Sequence, residues 1–163
     1  MPAINHIVVP ADFGEASDAA LAYARMLAIR FNASLTVVHV YDDVFARAAF
    51  APEVYGTLPP GVGEEARRDV HARLAALLHP GVSRGGSVEV LCGPTAKAIV
   101  EYAAQSDASL IVMGTHGRRG LAYAVLGSVA GQVLRTASCP VLTVRRTPEP
   151  AHGRVRAALA SAD

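Results

Sequence analysis

Cysteine is scarce in this chain. Cys92 and Cys139 are the only two, they lie far apart, and they form no C-x-x-C pair. That spacing excludes a disulfide framework and a cysteine-based zinc site, and it points to a reducing, cytoplasmic setting. Lysine is scarcer still: of 15 basic residues, Lys97 alone is Lys and the others are Arg. Charge of one sign is also missing. The net charge is +1, so neither nucleic acid nor an anionic membrane surface is expected as a partner. No apolar run approaches the ~20 residues that span a bilayer. Met1 to Pro10 has neither the basic n-region nor the long apolar h-region of a secretory signal. What remains is a globular balance, 52% apolar and 18% charged over 163 residues, enough for one domain with a real core.

Apolar runs alternate with helical patterns along the chain. Ile4–Val9 is β-branched and stopped by Pro10, and reads as a buried strand. Ser17–Arg30 carries Ala20, Tyr23, Ala24, Leu27 and Ala28 at helical spacing, with Ser17 or Asp18 suited to cap its start. Ser34–Val40 reads as a second strand. From Tyr41 to Gly63 the periodicity fails amid Pro52, Pro59, Pro60, Gly56 and Gly61, and a long loop is expected, of the length that serves as a lid or interface segment. Helix is expected over Glu64–His79, Thr95–Gln105 and Gly127–Thr136, and strand over Ser87–Leu91, Leu110–Met113 and Val141–Val144. The domain is expected to occupy residues 1–146, followed by a C-terminal tail at 147–163. Strands joined by helices cannot be hairpin neighbours. They need right-handed crossovers and give a parallel sheet covered on both faces, a doubly wound α/β fold.

In such a sheet ligands bind beyond the carboxyl ends of the strands, where the strand order reverses. Two strand ends are unusual. The first reads Pro10-Ala11-Asp12. The fourth reads Met113-Gly114-Thr115-His116-Gly117-Arg118-Arg119-Gly120, and Gly127-Ser128 later opens a helix. Gly114 and Gly117 permit backbone dihedrals closed to other residues and let N–H groups approach a ligand. The start of a helix offers free N–H groups and a positive dipole end to phosphate oxygens, and the Ser128 hydroxyl adds a donor. The bland reading is a glycine-rich turn that binds nothing. A P-loop does not fit, because it needs Lys beside its last Gly and Gln132 follows Gly131. The G-x-G-x-x-G dinucleotide turn is absent after the first strand.

The spacing Gly114-x2-Gly117-x9-Gly127-Ser128 resembles the G-2x-G-9x-G-[ST] ATP-binding motif of the universal stress protein family. The flanks I-V-M-G-T-H-G and A-S-C-P-V-L-T-V-R and the start I-V-V-P-A-D-F-G-E-A-S are similar to that family too, over roughly residues 3–146. The resemblance implies a five-stranded parallel sheet in the order 3-2-1-4-5 with helices on both faces, the adenine nucleotide α-hydrolase-like fold. It implies ATP as ligand, with Mg2+ accompanying the nucleotide. By position, Gly114, Gly117, Gly127 and Ser128 would hold the phosphates, with the Val129 backbone N–H. Ala11 and Asp12 would lie by the ribose and adenine, and Val40 and Met113 would line the adenine pocket.

Bland readings stand beside these. Asp12 suits a ribose or metal-bound-water ligand, or a helix N-cap. His116 suits a phosphate contact, a proton transfer or plain solvent exposure. His6 and His39 read as packed or hydrogen-bonded strand residues, and the two cysteines as small apolar fillers. ATP hydrolysis needs a group that orients water, and no motif assigns one, so binding with weak or negligible turnover is expected. The competing function is a dimeric protein-interaction module in which ATP is incidental; a flavin-binding α/β protein ranks behind both. In the order 3-2-1-4-5 the uncharged edge Val141–Val144 should be covered, either by a second copy in a homodimer or by the tail after Arg146 in a monomer, and the resemblance implies pairing of two copies through that strand.

Overall fold

A computed structural model describes residues 3–41, 62–78, 85–115 and 126–145, with side chains of the second segment described from residue 68. The β-branched runs become strands: β1 His6–Pro10, β2 Ser34–Tyr41, β3 Gly86–Cys92, β4 Leu110–Gly114 and β5 Val141–Val144. Between them lie α1 Glu15–Phe31, α2 Val62–Ala76, α3 Thr95–Gln105 and α4 Ser128–Thr136. The sheet order is β3-β2-β1-β4-β5 and every pairing is parallel. The expected fold class, order and edge strands are therefore found.

Alternation along each strand divides the core in two. Ile7, Val9, Leu35, Val37, Leu110 and Val112 face α1 and α2, where Ala20, Ala24, Ala28, Val70 and Leu74 meet them. Val8, Val38, Ile111 and Met113 face α3 and α4, against Ala96, Ile99, Ala103, Ala130 and Val133. Because both faces are covered, the inner strands β1 and β4 are nearly continuous buried apolar runs rather than half-polar ones.

Several boundaries move for identifiable reasons. Pro10 does not stop β1 but is its last residue, paired with Val38. The β1–β4 pairing has already ended at Val8–Ile111, so on that side proline forfeits no ladder bond. β1 and β4 thus part at their carboxyl ends, as the reversal of strand order requires. Neither Ser17 nor Asp18 caps α1. The N-cap is Gly14, and the Ser17 hydroxyl donates instead to the Gly14 carbonyl at 2.8 Å. α1 ends on Asn32 at φ 52°, whose N–H returns to the carbonyls of Ala28 and Ile29, an asparagine-terminated αL stop. β2 runs on to Tyr41 and α2 begins at Val62; the rest of the expected long loop, like the tail after Arg146, lies outside the described residues.

Candidate functional site

The parting of β1 and β4 opens a crevice at the carboxyl end of the sheet. Its first wall is the turn after β1. Ala11 is buried, its N–H donating to the Val38 carbonyl at 2.8 Å. The Ala11 carbonyl meets His39 Nδ1 at 2.7 Å, and since a carbonyl only accepts, that nitrogen carries the proton. Asp12 follows, and its Oδ1 accepts the Gly14 N–H at 3.0 Å. This is an Asx turn rather than a helix cap. A β-carbon on residue 14 would lie 3.1 Å from that oxygen, which is why glycine suits the position.

Between them stands Phe13 at φ 60°. A left-handed conformation costs an aromatic residue roughly 1–2 kcal/mol. Contacts around the ring offset that cost: His39 lies 5.0 Å away by centroid, and the Arg73 guanidinium sits 4.2 Å above it. Tyr41 meets the other side of His39 edge-on at 5.2 Å. Burial raises the Tyr41 hydroxyl above its ordinary pKa, Asp69 adds to the rise, and Arg73 partly opposes it.

The second wall is the end of β4. Met113 is buried on the α3–α4 face, and Val40 of β2 packs against that same cluster. Gly114 has a different reason to be glycine from the one expected. It is not among the described glycines at positive φ. A β-carbon there would fall 2.8 Å from the backbone of Ala16 in α1, a separation real atoms do not tolerate. Close approach of α1, not dihedral freedom, demands glycine. Thr115 is buried, and its N–H donates to the Val144 carbonyl at 3.0 Å. Its own carbonyl accepts the Gly127 N–H at 2.7 Å. That one bond brings the chain back from residue 126 to the tip of β4, so the two ends of the spaced glycine motif lie side by side. Sequence reasoning passed over Thr115, because a single Thr in a glycine-rich run carries no signal of being buried.

α4 begins at Ser128 on N-cap Gly127, without a side-chain cap, and the Gly131 N–H makes the first bond back to the Gly127 carbonyl. The N–H groups of Ser128, Val129 and Ala130 therefore precede the ladder and point out of the helix start. Ser128 is exposed, Val129 half-buried. α1 and α3 also start without side-chain caps, on Gly14 and Pro94. Ala11, Asp12, Val40, Met113, Gly114, Gly127, Ser128 and Val129 thus gather around one end of the sheet; His116 and Gly117 lie outside the described residues.

His39 is hydrogen-bonded as expected, and so is His6, at the opposite end of the sheet. Burial pushes the Cys139 thiol up, which makes it a poor nucleophile and suits an apolar filler.

A five-stranded parallel sheet in the order 3-2-1-4-5, with helices packed on both faces, defines a doubly wound α/β domain. The family model described as universal stress protein family matches residues 3–145. The chain belongs to the universal stress protein family. Universal stress protein MJ0531 of Methanocaldococcus jannaschii is 35% identical over 146 residues, covering 86% of this chain and 81% of its own. Universal stress protein A homolog 1 of Coxiella burnetii is 33% identical, with 86% and 95% covered. Among solved structures, UspA of Lactobacillus plantarum superposes with a TM-score of 0.67 at 25% identity, over 89% of this chain and all of that one. A universal stress protein solved in complex with cAMP gives a TM-score of 0.60 at 25% identity, over 90% and 100%. Among the described residues no helix is long and apolar enough to cross a membrane.

Proposed function

We propose that this chain is a cytoplasmic stress-response protein that binds ATP in the crevice between β1 and β4. The observation that carries the reading is the Gly127 N–H to Thr115 carbonyl bond of 2.7 Å. It sets an uncapped helix start beside Gly114, where free N–H groups and the dipole receive phosphate oxygens. The cAMP complex of a family structure supports the adenine-nucleotide class. By the spacing of the motif, Gly114, Gly117, Gly127, Ser128 and the Val129 N–H hold the phosphates, and His116 is a candidate for a further phosphate contact. Ala11 and Asp12 take the ribose side, and Val40 and Met113 line the adenine.

Mg2+ suits this arrangement. The Asp12 carboxylate is a hard oxygen donor, and Mg2+ takes one or two carboxylates beside phosphate oxygens and water. When bound, the ion would neutralise phosphate charge. The nucleotide serves as a structural ligand or switch with at most weak hydrolysis, because no motif assigns a group that orients water.

Calorimetry with ATP tests the site. A hydrogen bond to a charged group contributes about 1.5–3 kcal/mol, so Ser128→Ala weakens ATP about ten- to a hundredfold. Gly127→Val does more by blocking approach to the backbone. Equal affinity in wild type and Gly127→Val would remove the phosphates from this helix start.

A second reading, a dimeric interaction module, is favoured by the β5 edge. Leu142 is 38% exposed there and Tyr23 of α1, 51% exposed, lines the same groove. An antiparallel pairing of two β5 strands would cover both. Val144 is buried against the α1-face core, so a charge belongs at Leu142 alone. Leu142→Lys should yield a monomer by sedimentation; a wild type that is monomeric at tens of micromolar sinks the homodimer.

A further inference from the structure

Phe13 and Arg73 have no place in the nucleotide contacts proposed above, yet they share the geometry closest to it. Phe13 sits between Asp12, whose carboxylate folds back on Gly14, and the first residue of the helix cap. Its φ of 60° turns the chain from β1 into α1, and a bulky side chain holds that conformation only where surroundings impose it. Two neighbours do so from separate elements. The ring of His39, on β2, lies 5.0 Å from the Phe13 ring while its Nδ1–H holds the Ala11 carbonyl at 2.7 Å. The guanidinium of Arg73, on α2, lies 4.2 Å from the ring centroid. Arg73 is exposed, but α2 itself is anchored by buried Val70 and Leu74, so the cation arrives from a fixed helix.

We infer that Phe13 is a positioning residue for the nucleotide site, held by Arg73 and His39 so that α2 sets the placement of the Ala11–Asp12 lip. The inference rests on the reading of the crevice as a nucleotide site. It adds to that reading a mechanical link from α2, an element that contributes none of the proposed ligand contacts, to the ribose side of the pocket. Arg73 acts through the ring and not on the ligand.

A double-mutant cycle in the full-length protein separates these roles. An exposed cation over an aromatic ring is worth enough to change affinity about two- to fivefold. Arg73→Met, which keeps the aliphatic stem, should weaken ATP by that factor, and Arg73→Lys should recover most of it. In a Phe13→Leu background Arg73→Met should cost nothing further. Equal losses in both backgrounds would mean that Arg73 acts by its charge on the phosphates, and would overturn the link; so would unchanged affinity in Arg73→Met. A readout without ligand runs in parallel: exchange of the Gly14 amide, held by Asp12, should quicken in Arg73→Met. If wild type binds no ATP, the site reading falls and the exchange result alone decides: quickened exchange supports the ring-mediated link, and unchanged exchange overturns it. Should Phe13→Leu fail to fold, Arg73→Met and Arg73→Lys with the Gly14 amide decide the matter in the same sense.

Discussion

At the amino ends of the strands, polar groups close upon one another. The Ser109 hydroxyl accepts the N–H groups of Asn5 and His6, each at 2.8 Å, and donates to the His6 carbonyl at 2.9 Å. His6 Nδ1 reaches the Ser106 carbonyl at 3.0 Å, leaving Nε2 to accept from buried Thr36 at 2.8 Å. Thr36 in turn meets Ser87 at 2.9 Å. At the carboxyl ends, by contrast, α1, α3 and α4 begin on Gly14, Pro94 and Gly127 with no side-chain cap on the helix N–H groups. Histidine marks the difference. His6 has both ring nitrogens engaged in a structural knot, whereas His39 braces the backbone of a crevice wall. A parallel sheet makes its two ends unequal because every helix enters at one of them, and here the side chains deepen that asymmetry.

The carboxyl end should be the more sensitive to added volume. Gly114→Val would drive a β-carbon into the Ala16 backbone, 2.8 Å away, and neither a rigid helix start nor a central strand can yield. Overpacking of this kind costs about 1–3 kcal/mol, which in a domain of this size lowers Tm by roughly 5 °C. ATP affinity should fall as well, since Thr115 and its bond to Gly127 follow directly. A variant that melts with wild type would show that α1 can withdraw, and the two ends would then differ less than the geometry says.

The amino end should answer to loss of polar partners instead. His6→Ala takes one partner from Thr36, which keeps Ser87, and one from the Ser106 carbonyl, and loss of a hydrogen bond costs about 0.5–1.5 kcal/mol. Denaturant midpoints should drop accordingly while ATP affinity stays within error. A loss of nucleotide binding equal to that of Gly114→Val would break the division between a structural end and a binding end.

How much of this was readable beforehand follows the range of each signal. Thr95–Gln105 and Val141–Val144 were bounded to the residue, because apolar periodicity and flanking Pro94, Ser106 and Pro140 are local. The order of strands and the clustering of Ala11, Asp12, Gly114 and Ser128 followed from resemblance and from the rule for parallel sheets, not from any pairwise signal. Contacts that join distant residues were illegible: His6 and Ser106 are separated by 100 positions, and nothing in either segment names the other. The turn at Phe13 was illegible as well, since no propensity places an aromatic residue at positive φ. The contact of Gly114 with Ala16 was not legible, because sequence does not show which helix passes over a strand end.

The smallest effect separates the two ends by proton binding. Tyr41 stands at the carboxyl end and Tyr102, on α3, reaches toward Thr36 near the other. Burial raises both hydroxyls above the ordinary 10.0. Asp69 reinforces the rise at Tyr41 and Arg73 opposes it; at Tyr102 the Thr36 hydrogen bond opposes it and Glu89 reinforces it. A group whose folded pKa lies above its unfolded value retains its proton longer when folded. Its stabilising contribution is complete below the unfolded value and lost as pH rises through the folded one. Stability should therefore hold level up to pH 10.0 with respect to these groups, then decline. Tyr41→Phe and Tyr102→Phe should each flatten that decline. Raising ionic strength should weaken the influence of Asp69 and Arg73 on Tyr41 and of Glu89 on Tyr102, because all three charges are exposed, while the Thr36 hydrogen bond is not screened. Denaturant titrations at stepped alkaline pH measure the slopes. A double variant with the wild-type alkaline decline would show that neither tyrosine supplies it, and that the two ends titrate alike.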